Sequence, residues 1–278
     1  MAARVFAALM AALVAVAPPA PASAAAPREQ HLLYQARFLG LPVGDVAVRI
    51  VETADRYQVT LNARATGLFW AFRGIRAHRA ANGRITEDGS LEPAAYRRAY
   101  REWDKQGEVR VAYDRPDGIP KGFKNGEPVD RMEPDLRAGT LDPLSALMSV
   151  RRRVATLSDQ GSADPAEMVV PVFDGKLRYD AHIRVAPPET ITAAGQPWRA
   201  RVVTVRFEPL GGFSENHAAE WREGGLRIAV TDHDLAIPLR IEVDQGWGLF
   251  DLVYVGRCGV VETPCPDNEV DPLEHPKP

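Results

Sequence analysis

Cysteine is scarce in this chain: only Cys258 and Cys265 occur in 278 residues. That excludes a disulfide-dense scaffold, and a lone C-x6-C pair falls short of the three or four protein ligands a zinc site needs. In an oxidising compartment so close a pair most simply forms one disulfide, with free thiols as the alternative. Pro264 and Pro266 supply rigid turn material around it. Long apolar runs are also missing. The longest, Val5 to Val16, is about 12 residues, short of the roughly 20 that a membrane-spanning helix needs. Basic blocks are limited to Arg151-Arg152-Arg153, and the formal charge is −3, which argues against nucleic acid or anionic lipid surfaces as main partners. No G-x-S-x-G elbow and no H-E-x-x-H helix is present, so the common hydrolase signatures are absent.

The first residues carry an address. Arg4 precedes the apolar run, and small residues ending in Ala22-Ser23-Ala24 follow it. This order reads as a secretory signal peptide over residues 1–24, cleaved after Ala24. An uncleaved anchor is the alternative. The mature chain is expected to be soluble and periplasmic, a single β domain over residues 25–265 with a disordered, proline-rich tail over 266–278.

Period-two alternation dominates that chain. It runs through 45–51 (DVAVRIV), 56–65 (RYQVTLNARA), 108–113 (EVRVAY), 226–230, 237–243 and 249–255. Successive side chains of a strand point to opposite faces, so these are half-buried strands of an antiparallel sheet. In 169–186 (VVPVFDGKLRYDAHIRVA), Asp174-Gly175 lies between apolar runs and predicts a hairpin turn. Beyond it Leu177, Tyr179, Ala181, Ile183 and Val185 make one face. Lys176, Arg178, Asp180, His182 and Arg184 make the other. A catalytic row would need charges that converge in a pocket, so a solvated sheet face is the expectation.

Two segments break the alternation. Asp142 as N-cap and Pro143 at the first helical position open a helix over 142–151, with Leu144, Leu147, Met148 and Arg151 at helical spacing. Gly67-Leu68-Phe69-Trp70-Ala71-Phe72-Arg73-Gly74 reads as a single helical turn or wide loop. Its aromatics either close one end of a barrel or form an apolar patch for a membrane or partner. Irregular connections are expected at 115–140, 158–166 and 187–197.

Other constellations are weighed against plain structural roles. Asp232-His233-Asp234, with His217 and Glu220 nearby, has metal-ligand chemistry. Neighbours in a strand face apart, however, and a turn between two strands is the simpler reading. Ser145 falls inside the helix, where its hydroxyl is expected to bond a backbone carbonyl. In AYRRAYREW, Arg98 shares a strand face with Tyr96 and Tyr100, which suggests a cation–π contact or an anionic head-group site; ordinary sheet decoration is the expected outcome.

In combination, LYQARFLGLPVGDVAV, the GLFWAF turn, TLDPLSALMSV and VFDGKLRYD resemble the bacterial secreted family catalogued as domain of unknown function 3108, over about residues 30–257. The resemblance implies a periplasmic protein built on a large curved antiparallel sheet. It also implies more distant similarity to lipoprotein-carrier-like open β-barrels, in which short helices plug the opening, and to periplasmic β-spiral proteins linked to envelope integrity. The fold expectation is therefore all-β: an open barrel or spiral plugged by one or two short helices. The functional expectation is a non-enzymatic protein, without cofactor or metal, that binds an apolar ligand or envelope component. Phe69, Trp70, Phe72, Leu144, Leu147 and Met148 are its candidate contacts, and a lipid, a lipoprotein or another envelope protein its partner. The alternatives are an envelope interaction protein with a filled interior and an envelope hydrolase.

Overall fold

A computed structural model describes residues 27–67, 74–103, 105–113, 117–129, 132–244 and 249–258. The proposed signal peptide, Phe69, Trp70, Phe72, Cys265 and the proline-rich tail lie outside the described residues. Among the described residues, fourteen strands form one antiparallel sheet. They are β1 (Arg28–Phe38), β2 (Leu41–Glu52), β3 (Arg56–Ala65), β4 (Arg76–Ile85), β5 (Leu91–Glu102), β6 (Lys105–Ala112) and β7 (Lys121–Lys124). After them come β8 (Glu127–Pro128), β9 (Ala166–Phe173), β10 (Arg178–Ala193), β11 (Gln196–Gly211), β12 (Gly225–Thr231), β13 (Pro238–Asp244) and β14 (Leu249–Arg257). Three helices are present among the described residues: α1 (Pro134–Arg137), α2 (Pro143–Asp159) and α3 (Glu215–Glu223).

Each strand pairs with its sequence neighbours, except that β8 and β9 do not pair with each other, and the first and last strands pair in addition. β1 pairs with β14, from Leu32 opposite Arg257 to Phe38 opposite Phe250. The sheet's free edges are then β8 and β9, and the segment that joins them carries α1 and α2. An exposed edge is a template for unwanted pairing, so such edges are short or covered. Here β8 has two residues. The edge of β9 is occupied by Leu141, whose N–H donates to Pro171 O at 2.9 Å and whose carbonyl accepts from Phe173 N at 2.8 Å. At one corner the two ends of the sheet meet. A Cβ on Gly122 of β7 would lie 2.3 Å from Gly175 O, so only glycine permits this approach of the β9–β10 turn. Tyr113 Oη donates to Phe173 O there at 3.3 Å.

Helix α2 lies inside the curved sheet. Asp142 caps it, accepting from Leu144 N at 2.9 Å and Ser145 N at 3.0 Å, with Pro143 in the first turn. At the other end Gly161 N donates to Ser158 O and Ser162 N to Leu157 O, a Schellman closure with Gly161 at φ +61°. The helix is 17 residues long and passes well beyond the expected end at 151. Val150, Val154 and Leu157 carry the apolar stripe on, and all three are buried. One stripe (Ala146, Val150, Val154, Leu157) packs against β9–β12, and Leu144 and Met148 join the core built on β1–β5.

Three further expectations are corrected. The 115–140 stretch contains β7, β8 and α1. Residues 187–197 are continuous strand apart from the turn at Ala194-Gly195, with Pro187-Pro188 accommodated where the register shifts between Val185 and Pro188. In the 174–184 row, Asp174 and Arg178 are buried, whereas His182 and Arg184 are exposed as expected. Asp174 Oδ1 accepts from Lys176 N at 2.9 Å and Leu177 N at 2.8 Å, closing the turn. The Arg178 guanidinium bonds Leu136 O of α1 and Asp180.

The cavity beneath helix α2

Alternation places Leu32 and Tyr34 of β1, Val48 and Ile50 of β2, and Val59 and Leu61 of β3 on the concave face. With Leu144, Leu147, Met148 and Arg151 of α2, and residues of β13 and β14, they line a cavity of about 40 Å³. Three of the six expected contact residues are thus brought together at one place. Leu144 and Met148 are buried, and Leu147 is partly exposed. Its lining is aliphatic apart from Tyr34 and Arg151.

Arg151 is a component that the periodicity did not single out as functional. Read as a last-turn residue, it is instead in mid-helix and 4 % exposed. Its guanidinium donates to Ala236 O at 3.1 Å, to Leu235 O at 2.5 Å and, at 3.4 Å, to Gln30 Oε1. No carboxylate touches it among the described residues. Burial lowers its pKa, with Glu52 and Tyr34 opposing. The sequence signal was there: an arginine at an apolar-stripe position needs backbone acceptors or an anion if it is buried. Arg151 also borders a polar surface cleft of about 250 Å³, shared with Arg28, Glu52, Arg152 and Asp234.

A second buried polar group anchors the start of α2. Ser145, Asp142 and Tyr57 are all within 2 % of full burial. Ser145 Oγ donates to Asp142 Oδ2, and Tyr57 Oη lies 2.7 Å from Ser145 Oγ. The expected bond from Ser145 to a backbone carbonyl is not the one formed: the Asp142 carboxylate is closer to hand and the stronger acceptor. Burial drives the Asp142 carboxyl up to about 6 against the hydrogen bonds from Ser145 and Leu144, which pull it down.

The other candidates have structural roles. Asp232, His233 and Asp234 make the β12–β13 turn. Asp232 pairs with Arg201 at 2.6 Å and Arg199 at 2.8 Å, Asp234 with Arg28 at 3.4 Å, and His233 Nδ1 accepts from Leu235 N. Both Asp232 oxygens are therefore taken, and no group of three metal-ligating residues occurs among the described residues. His217 packs edge-on to Trp221 of α3 and tilted on Phe213. Arg98 reaches Asp174 at 3.5 Å. Cys258 is buried, and its N–H donates to His31 O.

These features define a β-barrel-like protein with an unclosed sheet around a central helix. The chain belongs to the family described as "Protein of unknown function (DUF3108)", whose model matches residues 33–253. A crystal structure of a beta-barrel-like protein of domain of unknown function DUF1849 from Brucella abortus is similar in fold. It aligns with TM-score 0.51 and 10 % identity over 82 % of this chain and 96 % of that one. No curated protein matches the chain. Among the described residues no helix is long and apolar enough to cross a membrane.

Proposed function

We propose that this is a non-enzymatic periplasmic protein, exported by a cleaved signal peptide and closed near its C-terminus by a Cys258–Cys265 disulfide. Its concave face binds an apolar ligand, or the apolar part of an envelope component, and so contributes to envelope integrity. The observation that carries the reading is the largely aliphatic cavity under α2, lined by Leu144, Leu147 and Met148 against β1–β3. At about 40 Å³ it is far smaller than an acyl chain. Ligand entry therefore requires α2 to retreat from β1–β3, and the helix acts as a displaceable plug. Protein purified from its own host is expected to release lipid in native mass spectrometry, and a cavity-filling Leu147→Trp chain is expected to release less. Repeated recovery of empty protein, together with no binding of a fluorescent fatty acid, would overturn the proposal.

A second reading is an envelope interaction protein with a filled interior. The near-complete burial of Met148 and Val154, 1 % and 0 % exposed, favours it. Under that reading Leu147→Trp supports envelope integrity in the host as well as the wild type does. Under the first it does not.

A further inference from the structure

We infer that Arg79 and Arg98 form an anion-binding pair on the concave face, which takes a carboxylate or phosphate monoester group of the bound molecule. The inference deepens the proposed binding function and rests on the concave face being the binding surface.

Strand register places the pair. Val59, Ala81, Tyr96 and Val111 lie opposite one another on β3, β4, β5 and β6, and all four are buried. One step of two residues along the strands, on the same face, lie Leu61, Arg79, Arg98 and Val109. A further step brings Ala63, Ala77, Tyr100 and Gly107, where Tyr100 is 44 % exposed. The two arginines thus occupy a row between the buried core and the exposed Tyr100.

Like charges directly opposite on neighbouring strands repel. The same sheet shows how such a pair is neutralised on its outer face. Arg97 and Arg110 also stand opposite each other, and Glu108 bonds both, at 2.9 Å to Arg110. On the inner face the compensation stops halfway. Arg98 has Asp174 at 3.5 Å, while Arg79 has no hydrogen-bond or ion-pair partner among the described residues. The buried carboxylate of Asp142 is already engaged by Ser145 and two helix N–H groups. Arg79 is partly buried beside Leu61, so its charge is screened less than in bulk water and its five donors are unused. A planar fork with those properties matches carboxylate and phosphate oxygens.

The test measures binding of decanoate, decyl phosphate, decanol and inorganic phosphate to delipidated protein by calorimetry at low ionic strength. The expected result is that both decyl anions bind about tenfold or more tighter than decanol. Arg79→Gln is expected to abolish that preference without changing decanol affinity. Arg110→Gln, on the outer face, is expected to leave it intact. Equal affinity for decanol and the anions, or a preference that survives Arg79→Gln, overturns the anion site but leaves the apolar-binding reading in place. Arg79-dependent binding of inorganic phosphate without any binding of decanol supports the anion site and overturns the apolar reading. Binding of no probe overturns both. Unchanged melting of Arg79→Gln confirms that a lost preference is not lost folding.

Discussion

Tyr57 Oη and Ser145 Oγ lie 2.7 Å apart, joining β3 to the first turn of α2 across 88 residues of sequence. Through Ser145 the contact continues to the Asp142 carboxylate, so the sheet, the helix cap and the helix start share one buried network. Such networks are costly when half-satisfied, because a buried unpaired polar atom retains its desolvation penalty. Ser145→Ala is therefore expected to destabilise the fold by about 1–3 kcal/mol and Tyr57→Phe by about 1 kcal/mol. The double variant is expected to lose less than the sum. Urea denaturation midpoints with unchanged slopes check this, and strict additivity would show that the two residues are not coupled.

Burial raises the Asp142 carboxyl from 3.8 to about 6. A carboxyl with a raised folded pKa makes the native state bind more protons than the unfolded state between the two values, so stability falls as pH rises from about 4 to about 6. The loss from this one group is on the order of 3 kcal/mol. Asp142→Asn keeps a cap acceptor for the helix N–H groups and does not titrate. It is expected to flatten the stability profile between pH 4 and 6 and to equal or exceed the wild type at pH 7. A variant profile parallel to the wild type across that window would place the titration elsewhere.

Gly175 adopts φ +96°, and a Cβ there would lie 2.5 Å from Val109 Cγ1. Gly175→Val combines left-handed strain with a clash against β6, so the expected cost is about 2–4 kcal/mol. Thermal melting reads it. A midpoint equal to the wild type would refute both the turn geometry and the approach of the two sheet ends.

Arg201 is fully buried, and its only carboxylate contact among the described residues is Asp232. Asp232→Ala strands that charge and is expected to cost about 3–5 kcal/mol. Addition of zinc or a chelator is expected to leave the wild-type melting temperature unchanged. A metal-dependent shift lost in Asp232→Ala would reinstate the Asp232-His233-Asp234 turn as a ligand set.

Much of the sheet was legible because alternation is a local signal: Tyr57, Val59 and Leu61 announce their face within five residues. The α2 start was equally legible from Asp142-Pro143. Its end was misread because Arg151-Arg152-Arg153 resembles a terminal basic turn, although the Gly161 stop signal stood ten residues on. Strand β4 was missed, since RAHRAANGRI alternates small and polar residues whose inward face is completed by Tyr96 and Leu61 from its neighbours. Helix α3 was missed as well. Its polar sequence holds helical form by packing Trp221 on Tyr179 and Phe207, contacts made only in the folded chain.

By itself the sequence determined that the chain makes half-buried antiparallel strands, where the β9–β10 turn falls and where α2 begins, since each depends on backbone geometry within a few residues. Only the tertiary structure decided that β1 joins β14, that α2 is enclosed by the sheet, and that Arg79 meets Arg98 and Arg151 meets the 235–236 carbonyls. Those outcomes depend on which distant strands come into register, and on whether a charge carried to the inner face finds its partner there.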